Sequence, residues 1–271
     1  MALQEHIGVL ERLYRDLTRR KYVHPDPLEF LYGYRCARDR EVVALVASSL
    51  AYGRVKQILA SVSVVLDMLG PRPAVYLPDA APRRLRRSLR GFRHRFNTGQ
   101  HVAAMLLGAR RVIRESGSLG ACFDGGVKSE DETVLPAIQA FVGRITEAAE
   151  GDCGHLLPDP ARGSACKRLN LMLRWLVRSD EVDPGGWASV EPDRLIVPLD
   201  THMHKIALRL GMTGRKSADG HTALEVTKAF RQIAPGDPVR YDFALTRLGI
   251  RHDMDIPAFL DSCTAGGKAC T

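Results

Sequence analysis

Ile196-Val197-Pro198-Leu199-Asp200-Thr201-His202-Met203-His204-Lys205-Ile206-Ala207 is the stretch on which the reading of this chain turns. An apolar extended turn containing proline runs into an aspartate, and the aspartate opens a helix. In that position Asp200 is an N-cap, its carboxylate accepting N–H bonds from the first helical turn. His202 and His204 project about 200° apart around such a helix, which is a poor chelate, so no metal site is expected there.

Upstream stands Gly163-Ser164-Ala165-Cys166-Lys167-Arg168-Leu169-Asn170-Leu171-Met172-Leu173. A lysine heads an apolar helix directly after a loop of small residues. The positive end of the helix dipole opposes an ammonium at that place. A neutral amine is what a Schiff-base nucleophile requires. An ordinary surface lysine at a helix start has the same sequence signature.

Working outward, the periodicity is helical almost everywhere. Ile7, Leu10, Leu13, Tyr14 and Leu17 recur at three and four. Asp39 is placed to N-cap a run from Arg40 to Tyr52, with Gly53 ending it. Further helices are expected over 55–69, 101–114, 134–149, 167–178, 201–210 and 223–233, and over 239–248 behind an Asp237-Pro238 start signal. Leu85, Leu89, Phe92 and Phe96 form a stripe that predicts one more amphipathic helix. No convincing strand and no internal repeat is present. Two irregular segments, 151–166 and 179–199, flank the helix that begins at Lys167, and loops around one buried helix commonly carry function.

The 271 residues are 45% apolar and 26% charged, which excludes wholesale disorder and suits a soluble globular protein. The net charge of +8 is concentrated in one window: Arg83, Arg84, Arg86, Arg87, Arg90, Arg93 and Arg95, with no acid among them. The rest of the chain is almost neutral. That window is either a solvated helix face, a surface that tracks phosphates, or a basic dock for an acidic protein or RNA. The six cysteines lack a C-x-x-C pair and are read as reduced cytoplasmic thiols. No stretch approaches the length of a membrane span, and no signal-peptide core is present.

Together these texts resemble the helix-hairpin-helix DNA glycosylase superfamily, closest to its oxidised-guanine glycosylase/lyase branches. Lys167 at one helix head and Val197-Pro198-Leu199-Asp200-Thr201-His202-Met203 at a later one carry most of the likeness. Val46 to Val55 resembles the first cleft-lining loop of that superfamily, and Tyr241 to Gly249 its late closing helix. The whole chain also resembles a bacterial family of unassigned function related to that fold. There are departures. Leu157 to Cys166 replaces the usual L-P-G-x-G hairpin text. The 33 positions from Lys167 to Asp200 match the archaeal oxidised-guanine branch better than most members. Only Cys263 and Cys270 follow Asp200, so no iron–sulfur cluster is expected.

The resemblance implies an all-α fold of two helical subdomains with a cleft between them. Residues 40–180 would form one bundle, with a degenerate helix-hairpin-helix, and 1–39 with 195–263 the other, leaving 264–271 as a flexible tail. It implies a DNA repair glycosylase/AP lyase that flips a damaged base, most readily oxidised guanine, into that cleft. Lys167 would attack C1′ and form the Schiff base, and Asp200 would stabilise the developing sugar cation. His202 is either a phosphate contact or a polar contact at the subdomain seam. Tyr52 is either a wedge filling the vacated stack or a core tyrosine. Arg54 is either a phosphate contact or an ordinary exposed arginine. Trp175 belongs to the core, whereas Trp187, in the Gly/Pro loop, is the pocket candidate for stacking on a base. No metal or cofactor is expected, and the expected partner of a monomeric protein is double-stranded DNA carrying a damaged base, or RNA. The competing readings are a non-cutting nucleic-acid binder on the same fold, and a helical protein acting on something else.

Overall fold

The computed structural model describes residues 6–250. The architecture is all-α, apart from one small hairpin among the described residues. The predicted tail and the cysteines at 263 and 270 lie outside the described residues.

α1 (Ile7–Leu17) buries Leu10 and Leu17 along one stripe. Asp26 then caps a 3-10 turn, Pro27–Gly33, accepting from the Leu28 amide at 3.0 Å. α2 (Ala37–Ser49) is buried along almost all of its length from Val42 to Ser49, because neighbours surround it. It starts three residues earlier than expected, and Asp39 is not its cap. Instead Asp39 is buried and accepts from the Ala74 amide at 2.9 Å. Glu41, one residue along from Arg40, accepts from the Leu119 and Gly120 amides at 2.9 and 3.1 Å. Two acids of the central helix therefore satisfy orphan N–H groups at the heads of neighbouring helices. Burial pushes the Glu41 carboxyl up.

α3 (Val55–Leu69) ends at Gly70, whose φ of +74° only glycine adopts freely. α4 (Pro73–Asp79) and α5 (Pro82–Ser88) each open on a proline, whose missing N–H costs nothing in a first turn. The single helix expected across the arginine window is not formed. Leu85 and Leu89 are buried as the stripe predicts, but the chain leaves helix at Ser88, turns at Gly91 and pairs β1 (Arg93–His94) with β2 (Asn97–Thr98). Phe96, assigned to the apolar stripe, is instead 69% exposed.

α6 (Gly99–Ser116), α7 (Leu119–Asp124) and α8 (Leu135–Ala148) pack on one another beside α2. At the α6–α8 contact a Cβ on Gly108 would lie 2.2 Å from the Ile145 carbonyl oxygen. Gly108→Ala is therefore expected to cost about 1–3 kcal/mol, read by thermal unfolding, since the helices must move apart.

α9 (Lys167–Val177) packs along α2, and α10 (Thr201–Arg209) and α11 (Gly220–Arg231) follow. α12 (Asp242–Ile250) packs against both α1 and α10. It begins later than the Asp237-Pro238 signal suggests, because Asp237 turns away to pair with Arg178 at 3.0 Å and the intervening residues form turns. Among the described residues no single helix is long and apolar enough to cross a membrane. α3 and α4 qualify only as a pair bent by 66°.

Candidate active site

Lys167 and Asp200 stand at the heads of two helices that face one another. Asp200 caps α10, its Oδ1 accepting from the His202 and Met203 amides, both at 2.9 Å. This fixes the carboxylate and leaves Oδ2 free to turn outward. Lys167 is the first residue of α9, and its approach is shaped by Cys166, which holds φ +47° and ψ +33°. A buried cysteine in the left-handed region is strained backbone, of the kind that clusters at functional sites. Ser164 Oγ accepts from the Cys166 amide at 3.1 Å, and the Gly163 carbonyl accepts from the Gly220 amide at 2.9 Å, so the loop is braced against α11. The outcome is a Lys167 Nζ 3.8 Å from Asp200 Oδ2, with both side chains 30% exposed.

The pair opens into a cavity of about 730 Å³. A molecule the size of a nucleobase fits such a volume. One wall is Tyr52 and Gly53, and the floor is Arg174 and Asp242. Pro25, Asp26 and Arg247 come from the two ends of the chain. A neighbouring cavity of about 690 Å³ lies beyond Arg168 and contains no lysine.

Beneath the pair lies a buried network of charges that sequence reasoning did not assemble. Arg174 pairs with Asp242 and with Asp183, the latter at 3.2 Å. Arg178 pairs with Asp183, with Asp180 at 2.9 Å and with Asp237. Arg247 pairs with Asp26. The available signal was two arginines four apart in a helix apolar on most sides, followed by acids at 180 and 183. Buried arginines need such partners.

Asp242 is a second carboxylate at the site. Burial pushes its carboxyl up to about 6 from an ordinary 3.8, against the pull of Arg174, and the charge of Asp200 pushes the same way as burial. The folded state therefore takes up this proton at higher pH than the unfolded chain does. The contribution of Asp242 to stability falls as pH rises from about 4 through about 6. Asp242→Asn should lack that dependence. Compared with the parent, it should be least favoured near pH 4 and regain ground by pH 7, as read from paired thermal melts.

The other sequence candidates divide. His202 lines the cavity and is exposed, whereas His204 is buried and its Nε2 meets the Arg215 carbonyl at 2.9 Å. Tyr52 lines the cavity but is half-buried and tied down. Its hydroxyl donates to the His94 carbonyl at 3.0 Å and accepts from Asn97 Nδ2, and the Arg168 guanidinium lies 4.9 Å from its ring. Held this way, the ring forms part of the cavity wall. Arg54 is exposed just before α3, and only its neighbours Gly53 and Val55 line the cavity. Trp187 is not at the site. Its loop folds back along α9, with the Gly185 and Trp187 amides donating to Trp175 and Leu176 carbonyls at 3.0 and 2.8 Å. The indole is buried against Phe123, 5.1 Å between centroids, and Phe141.

The profile of a family described as Protein of unknown function (DUF2400) matches residues 26–251. The chain belongs to the DUF2400 family. That match takes in Lys167, Asp200, Asp242 and every residue lining the cavity except Pro25. Comparison with curated proteins and with solved structures gives no match.

Proposed function

We propose that this DUF2400 chain is a DNA glycosylase with AP-lyase chemistry, acting on double-stranded DNA that carries a damaged base, with oxidised guanine first among the lesions. The observation that carries this reading is the approach of Lys167 Nζ to Asp200 Oδ2 at the mouth of a base-sized cavity. A lysine nucleophile needs a neighbour that removes its proton, and a departing base leaves positive charge on the sugar that a fixed carboxylate stabilises. In this reading Asp200 serves both tasks, its carboxylate held by the two N-cap bonds.

In the proposed sequence Lys167 Nζ bonds to C1′ as the C1′–N bond to the base breaks, and the electron pair leaves with the base. Opening of the sugar gives the imine. The released base anion takes a C2′ proton, and the C–H electron pair forms the C2′–C3′ double bond as the C3′–O bond breaks, so the 3′ phosphate leaves and the strand is nicked. Asp200 takes the amine proton in the first step. His202, exposed at the rim, is available to a flanking phosphate. The site needs no cofactor for this chemistry.

The test is base release and strand nicking on duplexes carrying oxidised guanine, other damaged bases or an abasic site. Activity on at least one lesion is expected. Failure on every lesion and on the abasic site would contradict the reading. Asp200→Asn is the sharper variant, because asparagine keeps the cap and removes only the charge. Its folding should change by a few tenths of a kcal/mol, while turnover falls about 10²–10³-fold. The loop 157–166, which replaces the usual hairpin text, favours one second reading: a nucleic-acid binder that does not cut. It predicts salt-dependent binding without nicking.

A further inference from the structure

The β-hairpin beside the cavity carries features that the chemistry at Lys167 does not use. Its two-residue turn is Arg95-Phe96, between the pairs Arg93–Thr98 and His94–Asn97. Arg95 holds φ +52°, and with Cys166 it is one of two non-glycine residues at positive φ among the described residues. Phe96 is the most exposed large apolar side chain among them.

The underside of the hairpin is fixed. His94 and Asn97 are buried. His94 Nε2 donates to the Tyr52 carbonyl at 3.0 Å and its Nδ1 lies 2.9 Å from Ser61 Oγ. Asn97 Oδ1 accepts from the His155 amide at 3.1 Å while its amide group donates to the Tyr52 hydroxyl. Arg95 packs across Gly53, where an added Cβ would lie 2.8 Å from Arg95 Cδ. Tyr52 and Gly53 are thus a shared wall, with the Lys167 cavity on one side and the hairpin on the other. The turn holds Phe96 outward at the rim of the cavity, its ring met by the Arg95 guanidinium 5.4 Å from the centroid and edge-on by His155 at 6.4 Å.

At the foot of the hairpin lies a further cavity of about 610 Å³, lined by Arg86, Arg87, Arg90 and Arg93 and by no acid. Arg86 is paired with Glu150 at 2.7 Å. Arg87, Arg90 and Arg93 make no ion pair among the described residues. The neighbours of the Phe96 ring, Arg95 and His155, are polar and not aliphatic, which suits a stacked base beside phosphates and not a membrane, where a broad apolar face would be needed.

We propose that Arg95-Phe96 is a wedge that stacks into nucleic acid beside the flipped nucleotide, with Arg87, Arg90 and Arg93 holding the adjoining phosphates. This rests on the reading of the neighbouring cavity as a DNA-repair site, and it moves the wedge from Tyr52 to Phe96.

The experiment uses the full chain and a duplex bearing tetrahydrofuran, an abasic analogue that cannot form an imine, with 2-aminopurine opposite it. Binding should change the 2-aminopurine fluorescence. Phe96→Ala should weaken binding about ten- to a hundred-fold and lose that change, and Phe96→Trp should restore both. Replacing Arg87, Arg90 and Arg93 by glutamine should lower the slope of log affinity against log salt by about 2–3. Phe96→Ala binding as tightly as the parent with the same fluorescence, or binding to anionic vesicles that depends on Phe96, would overturn the proposal. The two readings fail separately. A Phe96-dependent fluorescence change without nicking on any lesion leaves the wedge and removes the enzyme. Nicking that is indifferent to Phe96 does the reverse.

Discussion

The Lys167→Gln protein is expected to fold normally and to form no covalent adduct with DNA. Its side chain is partly exposed and pairs with Asp200 at 3.8 Å, so the substitution removes little packing. Surface changes of this kind usually stay within about 0.5 kcal/mol. Losing a cation at the positive end of α9 recovers part of even that. Chemically the loss is complete, because an amide nitrogen has no lone pair free to attack C1′. Adduct formation and strand nicking should both vanish, while binding to the tetrahydrofuran duplex should persist. Loss of binding alongside loss of chemistry would place Lys167 in recognition and not in catalysis.

Arg174 should show the opposite profile, with a large loss of stability. It stands between two carboxylates that have almost no access to water: Asp183 is fully buried and Asp242 nearly so. Arg174→Met fills much of the volume but strands both acids. Breaking a buried pair from one side costs about 3–5 kcal/mol. For a domain of this size that is a fall in melting temperature of about 6–20 °C. Arg174→Lys keeps one charge and loses the fork that reaches two acids, so it should fall between. An Arg174→Met protein that melts with the parent would show that the acids take up protons at little cost, and that the network beneath the site is not what holds α9 to α12.

Much of the site was legible because its two central residues occupy helix heads. Asp200 reads as an N-cap after Val197-Pro198-Leu199, and Lys167 reads as a misplaced cation at the start of an apolar helix. Local text is enough for both. Asp242, Arg174 and Asp183 were not assembled because each is an ordinary polar residue in its own segment, and only tertiary packing buries them together. The same competition misplaced two caps. Asp39 falls inside the first turn of α2, where it meets the Ala74 amide, and Asp237 pairs with Arg178 ahead of α12. The arginine window went wrong after Leu89, where a spacing of three and four continued to Phe96 by coincidence. The helix ends at Ser88, and Gly91, with φ +84°, lets the chain turn into the hairpin. Trp187 was assigned to the pocket from its loop composition, but an indole in a Gly/Pro loop packs wherever apolar surface is nearest, here Phe123 and Phe141.

The central claim is that Lys167 is a nucleophile. Incubating the full chain with duplexes bearing oxidised guanine or an abasic site, reducing with borohydride and mapping the modified peptide by mass spectrometry tests it directly. The predicted result is a reduced deoxyribose remnant on Lys167, absent from Lys167→Gln. No adduct on any duplex, or an adduct on another lysine that survives Lys167→Gln, would contradict it.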